Sequence, residues 1–185
     1  MFKRILSALS GKKSQASTDN SPADTTPPEF NDGELITVYD SYGREMKITR
    51  SEWREKVFLP NLKQQWGDAD ELYNLIVSGL NDGFATDLMP AAERLVEIDA
   101  NPERSYVVNG IVLMHNARLD AAEATLREGL AKVGVSGIIL TNLAKVFAER
   151  GDQSVAEATL WQAVEADPNQ ENGLLWWLSI QQERG

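Results

Sequence analysis

The chain has no cysteine and one histidine, His115, among 185 residues. Without cysteine there is no disulfide framework, no thiol nucleophile and no Cys-ligated zinc or iron–sulfur site, and a reducing compartment is permitted. A lone histidine without cysteine seldom makes a metal site. His115 is therefore expected as a partly exposed structural residue near a helix end, with pH sensing or partner contact as the sharper alternative. Long apolar runs are also missing. The longest uncharged stretch, Val133 to Ala144, includes Gly, Ser, Thr and Asn and falls short of the roughly 18 residues a membrane span needs.

Positive charge is scarce: 18 Lys and Arg stand against 28 Asp and Glu, for a net charge of −10. Residues 1 to 28 carry +2, which leaves −12 on the remainder. A body that acidic repels phosphate backbones, and no basic stripe offsets it, so no nucleic-acid partner is expected. No His, Ser and carboxylate set suggests general acid–base or nucleophilic catalysis. The acidic run Asp68 to Glu71 reads as a helix N-terminal turn, where the helix dipole favours carboxylates without a metal. Gly79, Gly83 and Gly110 fall at turn or crossing positions rather than in a phosphate-cradling loop. The expectation is a protein that is not an enzyme and carries no metal or cofactor.

What is present is ordinary for a globular protein, 42% hydrophobic and 25% charged, in a chain long enough for one domain and a tail. Phe2, Ile5, Leu6 and Leu9 lie at helical spacing beside Lys3, Arg4, Lys12 and Lys13. They fit either a brief amphipathic turn on an acidic membrane or a frayed terminus. One short helix with four apolar side chains binds weakly, so membrane contact is not expected. The apolar stretch is too short for a secretory signal, and a cytoplasmic location follows. Residues 10 to 33 are Ser, Thr, Asp, Asn, Pro and Gly-rich, which makes 1–33 a flexible tail and linker.

Residues 34–66 read as a β-hairpin and a capping helix. Leu35–Tyr39 and Met46–Ile48 are β-rich runs around a turn in which Gly43 takes the left-handed conformation. Thr49 and Glu52 match a capping box, Trp53, Val57 and Phe58 form a buried face, and Pro60 ends or kinks the helix before Leu62 and Trp66 continue the face.

From residue 67 the chain repeats. Ala122-Glu123-Ala124-Thr125-Leu126 returns as Ala156-Glu157-Ala158-Thr159-Leu160, 34 residues later, and Glu149-Arg150-Gly151 returns as Glu183-Arg184-Gly185. Gly83 and Gly151, Asp99 and Asp167, and Asn101 and Asn169 keep the doubled spacing. The period is that of a helix-turn-helix unit, which cannot bury its apolar face without neighbours. Three units follow, about 69–102, 103–136 and 137–170, with a terminal helix at 171–185. In the third, Ala144 marks a close helix crossing, Phe147 fills beside it and Gly151 turns the chain. Ala156, Leu160 and Ala163 face inward, and Asp167-Pro168 closes the unit. Gly110, Leu113, Ala122, Leu126 and Gly129 match in the second. The first is degenerate, with Ile76 at the crossing and Pro90 early in its second helix.

On these residues, 69 to 185 resembles the tetratricopeptide repeat proteins, bacterial ones in particular. The resemblance implies a mainly α protein, a helical-hairpin solenoid behind a small β-hairpin and helix, with a disordered N-terminal tail. It also implies ligands along a concave surface of first helices. Transferred by repeat frame, that surface holds Arg104, Val107, Ile111 and His115 from the second unit. Ile138, Thr141, Asn142, Lys145 and Glu149 come from the third. Chaperone-binding members clamp a C-terminal carboxylate with Lys, Asn and Arg. Here those places read Tyr73, Val77, Val108, Ile138 and Asn142, so that clamp is not expected.

The terminal helix reads Leu174-Leu175-Trp176-Trp177-Leu178-Ser179-Ile180. Packing Leu174, Trp177 and Leu178 inward leaves Leu175, Trp176 and Ile180 on an outer surface, where a capping helix should be polar. That surface meets a partner or its own copy, or the array runs on. The functional expectation is a scaffold that binds a peptide or helix of another protein in the concave groove. The alternatives are an accessory or truncated repeat region serving an enzyme system such as a transferase, and a homo-oligomer formed through the Trp-rich helix.

Overall fold

The computed structural model of the protein describes residues 31–40 and 42–184. The expected amphipathic turn at Phe2–Leu9 and nearly all of the expected linker lie outside the described residues. The chain divides after Pro60 into two compact units.

In the first unit, β1 (Leu35–Tyr39) and β2 (Glu45–Thr49) pair antiparallel with Ile36 opposite Ile48 and Val38 opposite Met46. Alternation puts these four side chains on one face, where Val38 is buried, while Leu35, Thr37 and Tyr39 point the other way and are exposed. Asp40 builds the turn: its Oδ1 accepts the N–H groups of Tyr42 (2.8 Å) and Arg44 (2.9 Å), and Gly43 sits at φ 79°. Helix α1 (Arg50–Trp53) starts at the expected capping box, with the Thr49 hydroxyl accepting from Glu52 N–H and Glu52 accepting from Thr49 N–H, each at 3.1 Å. Trp53 and Phe58 are buried and stack at 5.7 Å, while Val57 is half-buried.

Pro60 does not end the helical path. A π turn over Arg54–Phe58 precedes it, with Leu59 N–H reaching back to Arg54 O, and α2 runs over Leu59–Gln64. Proline removes one N–H and crowds the carbonyl four residues before it. A wider turn makes room for both defects. Trp66, expected on the apolar face, is instead exposed, and its carbonyl accepts from Arg94 Nε at 3.3 Å.

The second unit is a run of antiparallel helix pairs: α3 (Ala69–Asn81) with α4 (Ala85–Ile98), α5 (Pro102–His115) with α6 (Leu119–Val133), and α7 (Gly137–Arg150) with α8 (Gln153–Ala166). Helix α9 (Glu171–Arg184) packs on α7 and α8. Each first helix has a polar cap. The side chains of Asp68, Asn101, Ser136 and Gln170 accept from Glu71, Arg104, Ile139 and Gly173 N–H. Ala122, Leu126, Ala156 and Leu160, the first and last letters of the repeated pentapeptide, are all buried. Ala122, Leu126 and Ala156 join Leu113, Leu143, Val146 and Phe147 in one core cluster. Gly110 is required where α5 meets α6: a Cβ there would lie 2.8 Å from both Cγ and Cδ2 of Leu126.

The turn inside each pair repeats to the atom. Phe84 N–H reaches Gly79 O (2.8 Å), Arg118 N–H reaches Leu113 O (2.9 Å) and Asp152 N–H reaches Phe147 O (2.9 Å). The residue before each donor is left-handed: Gly83 at φ 72°, Ala117 at 55° and Gly151 at 92°. Only Ala117 carries a Cβ into that conformation, which costs about 1 kcal/mol. Ala117→Gly is therefore expected to stabilise the protein by about 0.5–1 kcal/mol in urea unfolding, against the usual cost of added glycine. A loss of stability would show that this turn carries no strain.

Candidate functional site

The first helices α3, α5, α7 and α9 pack side by side and make one face of the array. In the repeat frame its surface would hold Arg104, Val107, Ile111 and His115 of α5, one helical turn apart, and Ile138, Lys145 and Glu149 of α7, two turns and then one turn apart. Val107 and Ile111 are half-buried, and Ile138 is 39% exposed. Val77 of α3 is half-buried as well.

Charge collects at the two margins. At the α3 side, Arg104 lies 4.8 Å over the Tyr73 ring, pairs with Asp70 at 2.8 Å and grips the Asp99 carboxylate through Nε and Nη2, both at 2.8 Å. Burial alone would raise the Asp99 carboxyl; the Arg104 bonds and Asn101 N–H outweigh it and hold the group below its ordinary value. The same bonds, Asp99 first and then Asp70, push the Arg104 guanidinium further above its own. At the other margin His115, Lys145 and Glu149 are exposed. Partial desolvation raises the Glu149 carboxyl, while the charges of His115 and Lys145 act on it in the opposite sense, which places the three side chains within electrostatic reach.

Thr141 and Asn142 are not on this surface. Both are buried. The Thr141 hydroxyl lies 2.8 Å from Gly137 O and 3.1 Å from Gln170 Oε1, at the start of α9, and Asn142 Nδ2 donates to Ile138 O at 2.9 Å. Their polar groups serve the helix and the α7–α9 junction. Sequence reasoning placed Arg104 on the surface but not its partners Asp70 and Asp99. The signal was available in the capping position of Asp99, five residues before Arg104 and next to the α5 start.

On α9, Leu175 is 56% exposed, and Trp176 and Ile180 are half-buried. Trp177 packs on Trp161 of α8 with ring centroids 5.0 Å apart. Leu178, expected inward, is 47% exposed. Its equivalent one period earlier, Ala144, is buried in the α7–α8 pair, and among the described residues no helix follows α9 to cover Leu178. Among the described residues no group of three or more His, Asp or Glu side chains is placed to hold a metal, and no helix is long and apolar enough to cross a membrane.

No protein-family model and no curated protein matches this sequence. Solved structures do match in fold. The type III secretion translocator chaperone SycD of Yersinia enterocolitica superposes with a TM-score of 0.54 at 18% identity, over 63% of this chain and 93% of that one. The same chaperone in complex with a peptide of the translocator YopD gives 0.52 at 17%, over 63% and 94%. MamA gives 0.52 at 16%, over 69% and 79%. Likeness at such identities establishes the architecture: a tetratricopeptide-like helical-hairpin array, accompanied here by a two-stranded sheet.

Proposed function

We propose that this protein is a non-enzymatic, cytoplasmic scaffold that holds a peptide or helix of another protein along the face of its first helices. The observation that carries the reading is the division of that face. In this reading Val77, Val107, Ile111 and Ile138 make an apolar middle between a margin where the Arg104 cation is already paired with Asp70 and Asp99 and one where His115, Lys145 and Glu149 remain exposed. A ligand with an apolar side turned to the middle and polar groups facing the second margin suits it, as an amphipathic helix or extended peptide does. SycD, a neighbour in fold, is known in complex with a peptide of YopD. The test pairs Ile138→Asp with Lys145→Glu, both exposed and outside the core, and compares proteins captured from a lysate with those held by the wild type. Loss of a specific partner of at least ten-fold in recovered amount is expected. Unchanged recovery of every partner removes the first-helix face as the site.

A second reading, self-association through α9, is favoured by its uncovered Leu175 and Leu178. A sharp monomer in light scattering at high concentration, unchanged by Trp176→Asp, would dispose of it.

A further inference from the structure

The opposite side of the array, made by second helices, carries a cavity of about 570 Å³. Its walls are Leu130 of α6, Val135 in the following loop, Leu140 of α7, and Gln162, Glu165 and Ala166 of α8. Val135 stands at its lip, 81% exposed. One period earlier the same register is filled by the protein itself. Tyr106 occupies the place of Leu140, and Glu128 that of Gln162. Tyr106 is buried, its Cβ and Cγ crowd Gly129, and its hydroxyl donates to Glu128 at 2.7 Å. In the third unit the leucine ends short of that position, and it has no hydroxyl to engage the residue at 162.

We propose that this cavity receives a tyrosine side chain from a partner protein, carried on a segment with basic residues beside it. The second unit supplies the template in part: there a phenol is bonded to the side chain at the position of Gln162. Aliphatic walls suit the ring, and a buried phenol needs an acceptor. Gln162 and Glu165 offer one. Among the described residues neither side chain has a hydrogen bond or ion pair, and both residues are exposed. The volume falls within the range of pockets that enclose a small ligand, enough for one aromatic side chain. The basic neighbours follow from charge: Glu165 stands at the rim of a chain that carries −12 beyond residue 28. The same carboxylate disfavours phosphotyrosine, so phosphorylation of the ligand would release it. The site is separate from the first-helix face and does not depend on it.

The test titrates the ¹⁵N-labelled full chain with the blocked tripeptide acetyl-Lys-Tyr-Lys-amide. Saturable amide shifts are expected at Val135, Leu140 and Gln162. Binding should weaken at least ten-fold when the peptide's tyrosine is replaced by alanine or phosphotyrosine, and a similar loss is expected for Glu165→Lys with Gln162→Ala. Both positions are exposed, so the fold is not at risk. The combined change Leu140→Tyr, Ala163→Gly and Gln162→Glu rebuilds the second unit's arrangement. It should fill the cavity, leave the melting temperature within a few degrees and abolish the shifts, while Ile138→Asp with Lys145→Glu leaves them intact. Absence of saturable shifts, equal shifts with the alanine peptide, or shifts centred on Ile138 and Lys145 would overturn the assignment. Undiminished shifts in the Glu165→Lys, Gln162→Ala variant would do the same.

Discussion

Leu126→Ala should lower the unfolding free energy by about 3–4 kcal/mol, one of the largest effects of any single truncation in the array. Leu126 is fully buried between α5 and α6, and the truncation leaves a cavity that rigid helices on both sides cannot close. Gly110→Val should cost about 2–3 kcal/mol for the opposite reason, because its Cβ would be driven against Leu126 Cγ and Cδ2 at 2.8 Å. The atoms that valine strikes are among the three that the alanine removes. The double variant is therefore expected to lose about 1–2 kcal/mol less than the sum of the singles, measured by urea unfolding with far-ultraviolet circular dichroism. Strict additivity would mean that the α5–α6 crossing shifts apart instead of holding the contact, and that Gly110 is not placed by steric need.

That pair shows why so much of the helical array could be read from the sequence. A fixed period forces the same contact to recur, so Ala122 and Ala156, Leu126 and Leu160, and Leu113 and Phe147 occupy equivalent buried places. Turn chemistry was equally legible where glycine marks it, at Gly83 and Gly151. It was masked at 117, where alanine bears the same left-handed geometry and no composition cue remains. Thr49 and Glu52 identified their helix start because a capping box is a local bond pattern. Pro60 marked where the helix departs from regularity but not how, since a π turn is a backbone response that no residue type announces.

The candidate site was less legible because exposure is a property of neighbours. Thr141 has the polarity of a groove residue, yet Gln170, 29 residues later, draws its hydroxyl into the α7–α9 junction. Leu178 has the polarity of a core residue and is exposed, whereas Ala144 in the same register is buried. The cavity beside Leu140 is invisible to periodicity read as hydrophobic or polar, because tyrosine and leucine both count as filled positions. It emerges only when side-chain size is compared across repeats.

Arg104→Met should cost about 3 kcal/mol near neutral pH, far more than a surface cation is worth. The Asp99 side chain is 2% exposed and receives two guanidinium bonds. Methionine keeps much of the packing volume but leaves a buried carboxylate with only Asn101 N–H for company. The pH dependence separates this from a packing defect. In the wild type the Asp99 carboxyl is held below its ordinary value, so its contribution is present above the unfolded value of about 4 and is lost as pH falls through the lower folded one. In the variant the arginine bonds that outweighed burial are gone, and desolvation raises the same group. The variant is then penalised most where the carboxyl must ionise and recovers as acid protonates it. The stability gap between the two proteins should shrink steadily from pH 7 toward pH 4, and Asp99→Asn in the Arg104→Met background should restore part of the loss at pH 7. A gap that is flat with pH would assign the cost to lost packing against Tyr73.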